Sequence, residues 1–383
     1  MKKPLHIFVL IDALGAACRP AGSLLADRLP YRRALRTVLG FSSGAVPTIL
    51  SGQYPAQTGH WNLFYYDPCG SPFRWLRHAG WMPDALIEHR VTRKLLKETG
   101  RKLLGLGPLF ECSVPARQLP LFNFVEKRNI YAPGGITGAP SIFDLLEARR
   151  VPYRVYTYHH YTDAEVLAAA AHDVRQRRAD VYFLYLSEMD GFLHFHVGDE
   201  AAVTERLQWY QAKLAELFEL ADTPEADLTF SIFSDHGMTP VTERYDLAAD
   251  IESLGLKPQR DYLAVYDSTM ARFWFFNPVA RAAVIACLQT EACGRILSEI
   301  ELRANGVYFP DQRFGELVFL MHPGWLIAKS HFNGGRWNPS GMHGYHPDDF
   351  GSSAIFFSNR ERPGEMGSIA DIFPALRESV EAR

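Results

Sequence analysis

The chain has 383 residues, and its bulk composition is that of a globular protein with a large core. Hydrophobic residues make up 47% of it, which is enough for one large α/β domain or two smaller domains. Lys and Arg number 40 against 43 Asp and Glu, for a formal net charge of −3. Without a global excess of positive charge, we expect no nucleic-acid duplex as a partner, and any recognition of anions must be local.

The sequence predicts neither a secretory signal nor a transmembrane segment. The start, Met1-Lys2-Lys3 followed by an apolar stretch, resembles a signal, but the apolar run lasts only about eight residues before Asp12 interrupts it. No stretch reaches the roughly 18 consecutive apolar residues that a membrane span needs. The five cysteines are scattered and form no C-x-x-C pair, which fits a reducing compartment. We therefore expect a cytoplasmic protein.

Five short apolar runs predict buried parallel strands, because they are continuous rather than alternating and are rich in β-branched and aromatic residues. They are Leu5 to Ile11, Tyr153 to Tyr158, Val181 to Leu186, Leu228 to Phe233 and Ala354 to Phe357. Two further segments are predicted to be helices. They are Thr162 to Arg178, with Thr162 as N-cap, and Asp199 to Leu220, where apolar residues recur at spacings of three and four. The alternation predicts an α/β fold with a doubly wound, mostly parallel central sheet, helices on both faces, and ligands at the carboxyl ends of the strands.

Two long stretches depart from this alternation. One covers about residues 63–138 and is dense in aromatic residues, Pro, Gly and basic residues, and the other covers about residues 239–340. We predict that both are cap insertions over one end of the sheet, within a single catalytic domain spanning residues 1–383. Neither insertion matches a pattern that identifies a substrate, so nucleotide, glycan and lipid phosphodiesters all remain open, and the oligomeric state is not indicated.

Carboxylates and histidines follow the ends of the predicted strands. They are Asp12 after the first strand, Asp190 and His194 after the third, Asp235 and His236 after the fourth, and His343 before the last. An ionised carboxylate at the tip of an apolar strand is costly unless something compensates its charge. Because the carboxyl ends of parallel strands meet at one edge of a sheet, we expect these side chains to converge. The mixture of oxygen and imidazole ligands suits Zn²⁺, or Mn²⁺, better than Mg²⁺ or Ca²⁺.

Each of these residues also has a plainer interpretation. The aspartates could be polar strand ends or helix caps, and the histidines could be packed side chains with satisfied hydrogen bonds. His346 competes with His343 as the late ligand, while His60 and His196 are more typical of packing or of the substrate side. The convergence of the whole set, rather than any one residue, favours a metal site.

The order of these motifs resembles the alkaline phosphatase superfamily and, within it, the nucleotide pyrophosphatase/phosphodiesterase branch. That branch has a strand-end Asp, a nucleophile segment, Asp-x-x-x-His, Asp-His-Gly and a late His-Gly. The stretch from Ile49 to Pro55 resembles the end of the nucleophile segment, Leu-x-Thr-Gly-x-Tyr-Pro, and the residue ten before its Gly52 is Ser42. Tyr66-Asp67-Pro68 and the segment from Asp371 to Leu376 extend the likeness over nearly the whole chain.

The resemblance implies a metal-dependent phosphodiesterase that cleaves a phosphodiester or pyrophosphate bond through a phosphoseryl intermediate. Ser42 would be the nucleophile at a site for two divalent ions. One ion would be held by Asp190, His194 and His343, and the other by Asp12, Asp235, His236 and Ser42. The branch has a phosphate-holding Asn where this chain has Leu63, so the neighbouring Asn62 is the candidate through a shift of one residue. Gly44 stands where the branch has Pro.

Several alternatives stay open. Ser43 competes with Ser42 as nucleophile, and the reaction could instead be that of a phosphomonoesterase or phosphomutase. A sulfatase is disfavoured because no Cys-x-Pro-x-Arg or Ser-x-Pro-x-Arg segment is present, and the intact ligand set disfavours a non-catalytic binding protein. Residues 43–51 contain no Lys or Arg, which favours a diester over a more highly charged monoester. The arginines that could reach the site from other loops are Arg32, Arg33, Arg36, Arg272 and Arg336.

The stretch 90–106 combines basic residues with leucines at helical spacing. Such a basic amphipathic surface could make weak contact with a membrane surface or a polyanionic substrate. The plainer interpretation is a solvated helical face.

Overall fold

The computed structural model describes residues 2–79, 81–103, 114–125, 127–157, 161–331, 338–361 and 364–381. Of the positions singled out in the sequence, Tyr158, residues 104–106 and Arg336 lie outside these ranges.

Strands and helices alternate over much of the chain. The strands are β1 (Lys3–Ile11), β2 (Tyr31–Leu35), β3 (Phe64–Tyr66), β4 (Phe122–Phe124), β5 (Tyr153–Tyr156), β6 (Val181–Leu186), β7 (Ala226–Phe233), β8 (Thr239–Pro240), β9 (Glu243–Tyr245), β10 (Tyr262–Tyr266), β11 (Met270–Phe275), β12 (Gly294–Ile296), β13 (Leu317–Met321), β14 (Trp325–Ile327), β15 (Gly341–Met342) and β16 (Ala354–Ser358). The α-helices are α1 (Ser42–Ser51), α2 (Pro55–Thr58), α3 (Asp84–Ile87), α4 (Arg90–Leu103), α5 (Ile142–Ala148), α6 (Asp163–Arg175), α7 (Glu188–His196), α8 (Glu200–Ala221), α9 (Leu247–Ser253), α10 (Pro278–Thr290), α11 (Glu299–Ala304) and α12 (Ile372–Glu381). Short 3-10 helices span Arg19–Ser23, Arg74–Ala79, Leu119–Leu121, Phe350–Ser352 and Ile369–Asp371.

A six-stranded sheet forms the centre of the fold, in the order β2-β16-β7-β1-β6-β5. The strands β7, β1, β6 and β5 are parallel to their neighbours in this row. The predicted strand from Ala354 to Phe357 is present as β16, but it pairs antiparallel with both β7 and β2. The expectation that all five predicted strands are parallel is therefore wrong for this one, whereas the mostly parallel sheet is confirmed.

Alternate residues of β1 enter two different cores, one on each face of the sheet. Leu5, Ile7 and Val9 pack with residues of α6 and α8, while Phe8 and Leu10 pack with residues of α1, α5 and α12. Successive side chains of a strand point to opposite faces, so a strand buried on both faces has to be apolar throughout. This arrangement confirms the predicted α/β fold with helices on both faces of the sheet.

Side-chain caps fix the start of two helices. The Thr162 hydroxyl accepts a hydrogen bond from the Glu165 N–H at the start of α6, and the Asp199 carboxylate accepts one from the Ala202 N–H at the start of α8. These caps satisfy N–H groups that have no partner within the helix. The N-cap predicted at Thr162 is confirmed, although α6 ends at Arg175, three residues before the predicted end.

A second, antiparallel sheet with the order β10-β11-β13-β12 lies within the later predicted insertion. One of its faces packs against α9 and α10. The other face, with Leu263, Val265 and Trp274, packs against Phe64 and Phe122 of the earlier insertion. The two insertions therefore share a core, while their description as caps on a single domain remains a prediction. Within the described part of the chain, no helix is long and apolar enough to cross a membrane.

Two glycines allow the loops after β1 and β7 to touch. A Cβ atom on Gly237 would lie 2.2 Å from the Gly351 carbonyl oxygen and 3.0 Å from the Gly15 Cα atom. Both neighbours are backbone, so they cannot move aside as the end of a flexible side chain would. The contact holds together the two loops that carry Asp12 and Asp235.

We predict that Gly237→Ala lowers the free energy of unfolding by about 1–3 kcal/mol, because the added methyl group overlaps fixed backbone atoms. Gly198→Ala is the matched control, since a Cβ atom there would meet nothing within 4 Å and should change stability by less than about 0.5 kcal/mol. Denaturant unfolding of the two variants measures the difference. Equal stabilities would show that the backbone contact is not tight.

Candidate active site

The central strands bring the predicted ligands to one edge of the sheet. Strand β1 lies between β6 and β7, and the Asp12 N–H donates a hydrogen bond to the Leu186 carbonyl at the end of β6. Asp190 lies in the first turn of α7, which begins after β6, and Asp235 directly follows β7. His343 follows β15, which pairs with β8 just beyond His236. Neighbouring strand ends thus place all these side chains in one region.

Their ligand atoms form two overlapping groups. One group contains Asp12, Asp235 and His236, and the other contains Asp190, His236 and His343, with the ligand atoms of each group within 4.8 Å of one another. His194 joins the second group through its Nε2 atom, 3.4 Å from an Asp190 carboxylate oxygen. The structure therefore brings together all six Asp and His residues that the sequence predicted as ligands.

Hydrogen bonds to carbonyl groups fix the tautomers of two histidines. The Nδ1 atom of His194 lies 2.9 Å from the Gly341 carbonyl oxygen, and that of His236 lies 3.0 Å from the Gly237 carbonyl oxygen. A carbonyl oxygen only accepts hydrogen bonds, so each Nδ1 atom must carry the proton. In a neutral ring the Nε2 lone pair then points into the site, which is the arrangement of a histidine that binds a metal.

The three carboxylates are crowded and only partly neutralised by the protein. Burial raises the pKa of Asp12 well above its usual range, and the charges of Asp235 and Asp190 raise it further. Burial acts in the same direction on Asp190, but His194 and His343 outweigh it and hold its pKa below the usual value. One oxygen of each aspartate is buried without a hydrogen-bond partner. Buried oxygens of this kind are costly in an apolar surrounding, and divalent cations would satisfy them.

Ser42 begins α1 beside this cluster, with its Oγ atom 2.9 Å from Nε2 of His236. The competing Ser43 is buried and donates a hydrogen bond to the Trp61 carbonyl oxygen at 2.7 Å. Phe41, the N-cap of α1, supplies no capping side chain, and the first turn contains no acidic residue. The positive end of the helix dipole therefore faces the site without a protein anion, which suits the oxygens of a bound phosphate.

The sequence profile of the family described as type I phosphodiesterase / nucleotide pyrophosphatase matches residues 42–346. The chain belongs to this family. The match confirms the predicted branch of the alkaline phosphatase superfamily and the predicted class, a hydrolase acting on phosphoric ester bonds. Among curated protein sequences, none matches this one.

Solved structures of two kinds share the fold of this phosphodiesterase family member. Murine ectonucleotide pyrophosphatase/phosphodiesterase 5 is 13% identical, with a TM-score of 0.67, and the match covers 100% of this chain and 95% of that one. The human protein of the same name is 12% identical with the same TM-score and coverage. Phosphonoacetate hydrolase from Sinorhizobium meliloti 1021, in complex with phosphonoformate, is 15% identical with a TM-score of 0.66 over 99% and 96% of the two chains. At these identities the likeness shows the fold alone.

Tyr185 is a site residue that the sequence did not reveal. Its hydroxyl donates a hydrogen bond to Oδ2 of Asp12, and its ring is buried in the central core beside Tyr131. In the register of the parallel strands, Tyr185 stands opposite Leu10, two residues before Asp12. The signal in the sequence is a tyrosine within an apolar strand, but Tyr182 of the same strand gives that signal too, and only the register connects Tyr185 to Asp12.

The backbone after Asp12 makes a turn of unusual conformation. Ala13 has a φ of 60°, which costs energy for a residue with a side chain. The Ala13 N–H lies 3.3 Å from Oδ1 of Asp235, and the His236 N–H donates to the same oxygen at 3.0 Å. The turn thus helps to fix the Asp235 carboxylate relative to Asp12.

Asn62 follows Trp61, whose backbone lies against Ser43 and Gly44 in the first turn of α1. Asn62 is therefore close to the start of this helix. The side chain is buried, with Nδ2 3.6 Å from the Met270 sulfur atom and with Oδ1 lacking a hydrogen-bond partner. Its predicted role in holding the phosphate stays a prediction.

The family is divalent-metal dependent, so we predict that Tyr185→Phe weakens metal binding. Loss of the hydroxyl leaves Asp12 free to rotate and removes one hydrogen bond to its carboxylate, worth about 1.5–3 kcal/mol. Calorimetric titration of the metal-free proteins with Zn²⁺ should show an affinity at least tenfold lower for Tyr185→Phe than for the wild type. Tyr182→Phe is the control, because its hydroxyl donates to the Asp173 carbonyl oxygen, away from the ligands. Equal affinities of wild type and Tyr185→Phe would contradict the role assigned to Tyr185.

Proposed function

We propose that this chain hydrolyses a phosphodiester or pyrophosphate bond through a phosphoseryl intermediate on Ser42, at a site for two divalent transition-metal ions. The observation that carries the proposal is the position of the Ser42 hydroxyl. It lies at the positive end of α1 and 2.9 Å from His236, the residue common to both groups of ligand atoms. A nucleophile, a phosphate-binding helix end and two cation sites are thereby combined.

The donor set favours Zn²⁺, with Mn²⁺ as the alternative, because imidazole and carboxylate ligands occur in similar numbers. One ion would be held by Asp190, His194 and His343, and the other by Asp12, Asp235, His236 and Ser42. When bound, the ions would supply Lewis-acid chemistry that lowers the pKa of the serine hydroxyl and stabilises the leaving oxygen.

In the first step, Ser42 Oγ forms a bond to phosphorus as the bond from phosphorus to the leaving oxygen breaks. The N–H groups at the start of α1 stabilise the non-bridging oxygens, where negative charge accumulates. Water then attacks the phosphoserine and releases a phosphomonoester, which regenerates the Ser42 hydroxyl. Asn62, adjacent to this helix end, is the proposed contact to a non-bridging oxygen. The substrate class is a small-molecule phosphodiester, and nucleotide, glycan and lipid headgroup esters all fit this chemistry.

The surroundings of Ser42 support a preference for diesters. A monoester dianion carries one more negative charge and requires a further cation nearby. Arg272 is fully buried and donates to the Asp267 carboxylate at 2.9 Å, while Arg36 binds Asp348 and Asn305, each at 2.8 Å. Arg32 stacks on the Phe357 ring, and Arg33 lies over Tyr31. These four arginines therefore already have partners within the protein.

The nucleophile can be tested by exchanging each serine in turn. We predict that Ser42→Ala lowers kcat by at least about 10³-fold, because no group replaces the attacking oxygen. Ser43→Ala should keep kcat within about tenfold and cost about 1 kcal/mol of stability through its lost hydrogen bond to Trp61. Steady-state kinetics and denaturant unfolding measure both effects. If Ser43→Ala were the inactive variant, the nucleophile would be Ser43.

The substrate class can be tested with matched aryl esters. We predict a higher kcat/KM for a phenyl phosphodiester than for the corresponding monoester at the same metal concentration, because an uncompensated charge in a partly dry site is unfavourable. A preference for the monoester of more than about tenfold, equivalent to about 1.4 kcal/mol in the transition state, would favour the phosphomonoesterase or phosphomutase alternative.

A further inference from the structure

Exposed apolar side chains are concentrated in one short stretch of the earlier insertion. Of the eleven large hydrophobic side chains that are exposed in the described part of the chain, five lie between residues 75 and 95. They are Trp75, Trp81, Leu86, Val91 and Leu95, with exposed fractions of 49%, 82%, 55%, 69% and 66%. Single exposed apolar residues are ordinary, but a concentration of them marks an interaction surface.

The same stretch carries a strong positive charge. Residues 74–102 contain eight Lys and Arg against three Asp and Glu, a net charge of +5 in a chain whose overall net charge is −3. The remainder of the chain is therefore clearly acidic. We call the exposed side chains that the structure describes within residues 74–102 the basic aromatic surface.

Helix α4 has two different faces within this surface. Leu96 is buried in the core shared by the two insertions. The opposite face exposes Val91 and Leu95 together with Arg90, Lys94 and Lys102. On a helix, residues four apart are neighbours, so the two apolar side chains form a pair bordered by cations.

Buried side chains and a hydrogen bond hold the basic aromatic surface against the rest of the earlier insertion. Leu76 and Ile87 are buried in the same core as Leu96, so each exposed segment has its own inward anchor. Arg93 donates a hydrogen bond to the Val114 carbonyl oxygen at 2.7 Å, which ties the first half of α4 to the rest of the insertion. The exposed tryptophans and leucines are thus additional to the core of this region and are presented by a formed scaffold.

We propose that the basic aromatic surface binds the surface of an anionic lipid bilayer. Tryptophan side chains and aliphatic residues insert at the level of the headgroups, and neighbouring Lys and Arg are attracted to anionic lipids. A second copy of the chain fits less well, because two copies of a surface with net positive charge repel each other. A nucleic acid would pair with the cations but would leave Val91, Leu95 and Trp81 in water. The proposal is independent of the reaction at Ser42.

Vesicle flotation tests the proposal with the full-length protein. The probes are vesicles of phosphatidylcholine alone and vesicles that also contain phosphatidylglycerol. Wild-type protein should float with the anionic vesicles, float far less with the neutral ones, and be released by high salt because exposed charges are screened. Equal binding to both kinds of vesicle, or no binding to either, would overturn the proposal.

Two exposed substitutions separate the charge from the apolar contribution. Lys94→Glu and Trp81→Ser should each lower binding to anionic vesicles by at least about fivefold. The controls lie on α10, where Arg281→Glu makes the same change of charge and Val279→Ser likewise replaces an exposed apolar side chain by serine. Thermal unfolding checks that all four variants are folded. Binding that falls equally in the controls would show a general charge effect and refute a specific surface.

Light scattering decides between a bilayer and a second copy. The proposal expects Lys94→Glu and Trp81→Ser to leave the molar mass in solution unchanged. A dimer that either substitution dissociates would assign the basic aromatic surface to a subunit interface and overturn the proposal.

Discussion

Mutual repulsion among three carboxylates is the constraint on which the site depends. Asp12, Asp190 and Asp235 lie at neighbouring strand ends, where burial and their shared charge raise the pKa of Asp12. Such a cluster is stable only if cations or protons neutralise it. The protein supplies only part of that charge, chiefly through His194 beside Asp190. Divalent ions bound by these carboxylates would supply the remaining positive charge.

The parallel sheet provides the rigidity that this cluster requires. Strand β1 is hydrogen bonded on both sides, so Asp12 is fixed relative to the ends of β6 and β7. The contact between Gly15 and Gly237 and the turn at Ala13 then limit the movement of the loops that follow. Carboxylates held in this way cannot separate to relieve their repulsion, and the energy is available for binding cations.

The sequence was sufficient to predict the parts of the fold that have a strong local signal. Strands β1 and β6 are buried on both faces and are almost entirely apolar, and Thr162 is followed by Glu165 in the pattern of a helix start. Strand β2 is different, because it contains Arg32 and Arg33 at the edge of the sheet and so lacks an apolar run. The direction of β16 depends on where the preceding chain crosses the sheet, which no local pattern encodes.

The site shows the same division between local and long-range information. Asp12, Asp235 and His236 could be recognised from their places after strands, and Ser42 from its distance to Gly52. The contact between Tyr185 and Asp12 could not be recognised from the sequence, because it depends on the register of two strands that are distant in sequence. The internal partners of Arg36 and Arg272 are also long-range, and the sequence therefore left their access to the site open.

The core between the two insertions has a consequence for how such enzymes diversify. Phe64 and Phe122 of the earlier insertion pack against Leu263 and Trp274 of the later one, although well over a hundred residues separate them in the chain. A chimaera that exchanged only one insertion with a relative would expose or overfill this core. The two segments have to be inherited, or transplanted, as a matched pair.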